Sequence, residues 1–140
     1  MADWMGFALG SAFFAGVTSV LAKLGVEHVS SNVATFIRTV VVLLFATLLI
    51  TLRREWPHPG QLNLRSIVFL VLSGVTTGLS WLCYYRALQG GPASLVAPLD
   101  KLSLIVALCL AVLVLGERLT IGQWIGASLM AIGAILLVFR

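Results

Sequence analysis

The chain has 140 residues, of which 60% are hydrophobic and 10% charged, with a formal net charge of +4 and a mean hydropathy of +1.08. That is too apolar for a water-soluble domain of this size, and the polar remainder leaves no room for a separate catalytic or nucleic-acid-binding domain. The positive balance does not point to nucleic acid, because the basic residues flank apolar segments and form no Lys/Arg-rich run.

The apolar residues fall into five blocks, at about 4–24, 32–52, 66–88, 95–115 and 120–139. Each approaches the roughly 20 residues that a helix needs to cross a hydrocarbon core. The expected fold is all-α and integral to the membrane: one domain over 1–140, five transmembrane helices, the lipid bilayer as solvent. An odd number of crossings puts the two termini on opposite sides.

The first block carries small residues four apart at Gly6 and Gly10, followed by Ala12 and Gly16. It lacks a basic n-region and exceeds the h-region of a signal peptide, so it reads as a mature span. The second block contains no glycine and is expected to face lipid. Arg38 sits about six residues into it. That side chain either snorkels to the surface or partners a carboxylate or an anionic group of a solute. The polar stretch Arg53-Arg54-Glu55-Trp56-Pro57-His58-Pro59-Gly60 follows, and its two prolines forbid a continuous helix.

The third block carries Gly74 and Gly78, read as a helix-packing pair. Trp81 then shares a helical face with Tyr84 and with Tyr85. Flat rings with polar tips suit the wall of a cavity for organic molecules, or an interfacial belt. The hydroxyls of Ser73, Thr76, Thr77 and Ser80 either line a wet path or bond back to the helix backbone. Gly90-Gly91-Pro92 is a helix stop.

The fourth block holds Asp100, the one carboxylate well inside a span, next to Lys101. Ionisable residues within a membrane mark function by default. A carboxylate about 9 Å along the axis from Ser94 can couple proton movement to a solute. A plainer reading makes Pro98 the first helical residue and Asp100 a first-turn acid that suits the helix end. Helical neighbours point in different directions, so Asp100 and Lys101 are not expected to pair; Arg38, Arg86 or charges of a second copy are better partners. Cys83 and Cys109 read as small buried core residues, without disulfide or metal spacing. No metal or cofactor is expected.

Gly116-Glu117-Arg118-Leu119-Thr120 is a tight turn before the fifth block. Thr120 and Gln123 have capping-box spacing, and Glu117 can meet the helix N-terminus or pair with Arg118. Gly122 and Gly126, with Gly133 one heptad beyond, form the most continuous small face, expected to make the main helix–helix or subunit contact. Trp4, Trp56 and Trp124 form an aromatic belt at the end of the membrane that holds the N-terminus. There is no HExxH, no GxSxG and no phosphate-binding glycine loop, and both histidines lie in loops, so an enzyme is not expected.

Two stretches are specific enough to compare with a known family. They are Tyr85-Arg86-Ala87-Leu88-Gln89-Gly90-Gly91-Pro92-Ala93-Ser94-Leu95-Val96-Ala97-Pro98-Leu99 and Leu113-Val114-Leu115-Gly116-Glu117-Arg118-Leu119-Thr120-Ile121-Gly122-Gln123-Trp124-Ile125-Gly126-Ala127, with Gly133 beyond. With them the chain resembles the EamA domain of the drug/metabolite transporter superfamily. That family usually joins two such five-helix units in one polypeptide as an inverted repeat; this chain carries one and is similar to the short five-span members. The resemblance implies export or exchange of small metabolites or drugs, in a bacterial inner membrane, by a unit that has to pair to build a full transporter; together with the odd number of spans it leads to the expectation of a secondary transporter of a small organic solute, working by alternating access as an antiparallel homodimer. It also implies a central cavity lined chiefly by the first, third and fourth helices. Many EamA domains have a second proline shortly after the one matching Pro98, where this chain reads Asp100-Lys101-Leu102-Ser103-Leu104. The first block has no acid between Asp3 and Glu27, so the coupling chemistry of the four-span exporters does not carry over.

On this reading Asp100, Lys101 and Arg38 form the polar centre, and Trp81, Tyr84 and Tyr85 the cavity wall. The excess of basic charge, Arg38 and Lys101 against Asp100, favours anionic or zwitterionic solutes. The competing readings are a non-transporting membrane subunit and a half-transporter that needs a different homologous chain.

Orientation follows Lys and Arg in short loops. Arg53, Arg54, Arg65 and Arg118 fall on the N-terminal side; Lys23, Arg86 and Arg140 fall opposite, joined by Arg38 and Lys101 if slightly deeper residues count. With so little bias the chain is expected to insert both ways, and two opposed copies can pair about a twofold axis in the membrane plane. Reporter fusions at the C-terminus should therefore read out on both faces of the membrane; one uniform orientation would remove the inverted pair.

Overall fold

Apolar runs free of interior proline form continuous helices. The computed structural model describes residues 3–57 and 62–138, and every regular element among them is an α-helix. His58, Pro59 and Gly60 of the long polar stretch, and Phe139 and Arg140 at the chain end, lie outside the described residues. Four of the five blocks are single helices: α1 (Asp3–Gly25), α2 (Ser31–Arg53), α3 (Leu64–Gly90) and, last in the chain, α6 (Ile121–Val138). The fourth block is divided into α4 (Ala93–Asp100) and α5 (Ser103–Leu115), which together make the span Ala93–Leu115. Five segments are long and apolar enough to cross a membrane, as the sequence predicts.

The contacts group the chain into two units, Ala22–Gly90 and Met1–Leu21 with Gly91–Arg140. In the first, α2 packs on α3. Ser30 caps α2 by accepting from the Val33 N–H at 3.4 Å, and Asn63 caps α3 by accepting from the Arg65 N–H at 3.1 Å. Arg54 closes α2 in the left-handed region at φ 55°, with the Glu55 N–H returning to the Ile50 carbonyl at 3.0 Å. The α1–α2 connection is stapled to the end of α3. Lys23 Nζ donates to the Leu88 carbonyl, one of the last-turn acceptors that a cation at a helix C-terminus suits. Gln89 Nε2 donates to the Val29 carbonyl at 2.7 Å. Ala22, Val26 and Leu88 are buried. At either end of the apolar stretch of α3 stand Arg65 and Arg86, both exposed, with about 30 Å of uncharged helix between them at 1.5 Å per residue.

In the second unit, α4 and α5 pack on α6. The capping box at the start of α6 is reciprocal: the Thr120 N–H donates to Gln123 Oε1 at 2.7 Å, and the Gln123 N–H donates to Thr120 Oγ1 at 3.3 Å. Gly116 ends α5 with φ 70°, a conformation that glycine adopts without penalty.

The fourth span departs from the sequence expectation. Pro98 lies inside α4 rather than at a helix start, and Pro92 occupies the N-cap position. Asp100 is therefore the last residue of α4, where the helix dipole disfavours an acid, and not a first-turn acid. A proline inside a helix has no N–H for the preceding turn and crowds the carbonyl four residues back. The chain relaxes just beyond it through tighter bonds: the Lys101 N–H reaches the Pro98 carbonyl at 3.1 Å, and the Leu102 N–H reaches the Leu99 carbonyl at 3.0 Å. In this tighter turn the Lys101 Nζ lies 3.6 Å from Asp100 Oδ2. The two do pair, contrary to the argument from helical neighbours. Both cysteines are free, but Cys83 is exposed and Cys109 half-buried, so neither is the enclosed core residue expected.

Replacing Lys23 with Met should destabilise the detergent-solubilised protein by about 2 kcal/mol, the usual worth of a hydrogen bond to a charged group. Gln89→Leu should cost less. Thermal unfolding followed by circular dichroism checks both, and unchanged midpoints would mean that the staple contributes nothing.

Candidate functional site

A stripe of side chains at i, i+3, i+4 and i+7 on α2 consists of Thr35, Arg38, Thr39 and Val42. The facing stripe on α3 consists of Leu70, Ser73, Gly74, Thr77, Gly78 and Trp81. Together they line a half-open cleft of about 460 Å³. The second helix is exposed over most of its length, as its lack of glycine suggests, yet one of its faces is a cleft wall. Of the three helices that the resemblance implies for a cavity, the third is the one that lines this cleft.

The cleft holds a charge. The Arg38 guanidinium carbon lies 2.9 Å from the centroid of the Trp81 ring. Arg38 is about 10 Å along α2 from Ser31 and Trp81 about 13 Å along α3 from Gly90, so the pair lies within the spans. The guanidinium lies over the ring face of the neighbouring helix, a cation–π arrangement. Its Nη1 is buried and has no hydrogen-bond partner.

Three hydroxyls in the cleft bond back to their own helices. Thr35 donates to the Ser31 carbonyl, Thr39 to the Thr35 carbonyl and Thr77 to the Ser73 carbonyl, each at 2.8 Å. Their protons are engaged and their lone pairs remain available as acceptors. The lining thus combines one fixed cation, several hydroxyl oxygens, a glycine floor and an apolar end at Val42 and Leu70.

The aromatic group predicted from the sequence is assembled. Trp81 meets Tyr84 edge-on at 5.4 Å between centroids and Tyr85 at a tilt at 5.4 Å. Trp81 lines the cleft; Tyr84 and Tyr85 are buried and are not among the residues that line it. The Tyr84 hydroxyl is buried without a hydrogen-bond partner. A second, more open depression of about 470 Å³ is lined by Ser31, Asn32, Leu82, Cys83, Arg86 and Ala87.

Gly74 and Gly78 lie along the cleft, and a Cβ built on either meets nothing within 4 Å. On α6 the buried positions are Ala127 and Ala134, each one residue past a glycine of the predicted stripe. A Cβ at Gly126 or Gly133 meets nothing within 4 Å, and one at Gly122 meets Thr120 Oγ1 at 3.9 Å. Asp100 and Lys101 lie in the other unit, paired as described. Thr35 and Thr39 escaped the sequence reading, although their spacing with Arg38 is legible as a polar stripe in an apolar helix.

The model of the EamA-like transporter family matches residues 3–139. A protein of Sinorhizobium sp named an uncharacterized transporter in the cobO 3'region is 46% identical over 135 residues, 96% of each chain. An uncharacterized protein of Methanocaldococcus jannaschii is 30% identical over 133 residues, 90% of this chain and 89% of that one. A Yersinia pestis protein named a probable 4-amino-4-deoxy-L-arabinose-phosphoundecaprenol flippase subunit is 30% identical over 83 residues, 59% of this chain and 72% of that one. No solved structure gives a significant match. A family model that spans nearly the whole chain, on five apolar helices, makes this multi-pass integral membrane protein a member of the EamA-like transporter family.

Proposed function

We propose that the chain is a half-size secondary transporter that moves a small anionic or zwitterionic organic solute across the bacterial inner membrane. It works as an antiparallel homodimer by alternating access. The observation that carries this reading is the Arg38–Trp81 pair on the wall of a cleft of about 460 Å³, a fixed cation with one buried, unpartnered donor. A permanent charge within a span is costly and is kept where it contacts a solute or an ion path. Asp100, at the break between α4 and α5, is the coupling group, and Lys101 its local counter-charge. A discontinuous helix that places a polar pair within a span is a recurrent feature of secondary transporters.

The inverted copy meets this chain along Gly122, Gly126 and Gly133 on α6. Within the chain the packed positions of α6 are Ala127 and Ala134, which leaves the glycine stripe for another helix. A second reading has support from one relative, which is named a flippase subunit: this chain pairs with a different homologous chain.

Liposomes containing this chain alone should sustain solute flux; none would favour the heteromeric reading. Asp100→Asn should lower proton-coupled uptake at least tenfold while the helical circular dichroism signal stays intact. Unchanged flux with unchanged pH dependence would reject the coupling role. A cysteine at Gly126, in a background with Cys83 and Cys109 replaced by Ser, should crosslink to a second copy of itself in membranes. Crosslinking only to another protein would reject self-pairing.

A further inference from the structure

The α2–α3 cleft carries more information than the solute's charge, because its lining changes along its length. We infer that it is a subsite for an amphiphile, which places an oxyanion (phosphate or carboxylate) on Arg38 and a hydrocarbon tail toward Val42 and Leu70. The inference deepens the transport reading and rests on it.

The head end follows from Arg38. Guanidinium stays charged under all physiological conditions and presents planar donors that match an oxyanion two at a time. Neither α2 nor α3 contains an acidic residue, so their own side chains offer no carboxylate to neutralise it. The Trp81 ring covers one face of the guanidinium and supplies no hydrogen-bond acceptor. Nη1 therefore remains a buried donor without a partner. A neutral ligand leaves the charge uncompensated, and a cationic one adds repulsion; an oxyanion satisfies donor and charge together.

The tail end follows from position. Leu70 is eleven residues before Trp81 on the same face, about 16 Å along the axis. Val42 is one turn beyond Arg38. Both are exposed, so the apolar end opens at the outer surface of the helix pair, where lipid lies. Gly74 and Gly78 keep the path between the two ends clear, since no atom lies within 4 Å of a Cβ added at either. The engaged hydroxyls of Thr39 and Thr77 present oxygens midway, which can accept from hydroxyl or amino groups beside the oxyanion.

The test uses the full chain in nanodiscs of zwitterionic lipid, with Trp4, Trp56 and Trp124 replaced by Phe so that Trp81 is the sole indole. Hexyl phosphate should shift Trp81 emission saturably, whereas hexyltrimethylammonium should not. Inorganic phosphate should bind at least tenfold more weakly than hexyl phosphate. Arg38→Gln should weaken the hexyl phosphate response at least tenfold, and Arg38→Lys by less. Gly78→Leu, which keeps the charge and fills the floor, should abolish the response. Nanodiscs doped with phosphatidic acid separate the two sources: a response there assigns a lipid-borne oxyanion, and a response to hexyl phosphate alone assigns a soluble amphiphile. Equal responses to the cation, or insensitivity to both Arg38→Gln and Gly78→Leu, overturn the proposal. So does binding of inorganic phosphate as tight as that of hexyl phosphate. Flux without any Trp81 response removes this site and leaves the transport reading standing; a saturable Trp81 response without flux does the reverse.

Discussion

Hydrocarbon accepts and donates no hydrogen bonds, and the helix ends and threonines among the described residues are arranged around that fact. In lipid an unsatisfied backbone amide or carbonyl costs several kcal/mol. Helices α2, α3 and α6 answer it with side-chain caps at their starts, and threonines give their protons to the preceding turn. Even the interruption in the fourth span keeps its bonds, by shortening them to three-residue loops past Pro98. Against these bonds, a buried guanidinium nitrogen and a buried phenol without partners are conspicuous. Both sit beside Trp81, and that coincidence gives the cleft its functional weight.

Small residues do two different jobs here. On α6, alanines occupy the packed positions and the adjacent glycines stay open. On α3, glycines face a cavity, and their missing side chains make room rather than close contact. Identical four-residue spacing thus serves one helix as a surface and another as a floor. Spacing alone does not tell these apart, because both demand the absence of a Cβ on one face.

The five spans were legible because length and apolarity suffice to define a crossing, and the capping box because its two partners are three residues apart. What depended on three dimensions was not. The sequence allows Pro98 as a helix start, since proline favours that position; the structure puts it in a helix whose first residue is Ala93, which sets aside the first-turn alternative for Asp100. For Arg38 the sequence leaves two readings open, a snorkelling cation or a partner for an anionic group, and the neighbouring Trp81 ring that it meets is set by packing, not by spacing. Trp81, Tyr84 and Tyr85 of α3 are grouped correctly by periodicity, yet which of them borders open space depends on α2. Thr35 and Thr39 acquire meaning only once α2 is known to pack on α3.

The placement of Arg65 and Arg86 constrains how α3 can move. Two guanidinium groups about 30 Å apart along one helix match the thickness of the hydrocarbon core. Sliding α3 along the membrane normal by a turn in either direction would pull one of them into the oil. Leaning or rolling about the long axis keeps both at the headgroups. The third helix thus carries a charged marker at each end of a hydrocarbon-length segment, and the two together set its depth as a mooring at bow and stern sets the position of a boat.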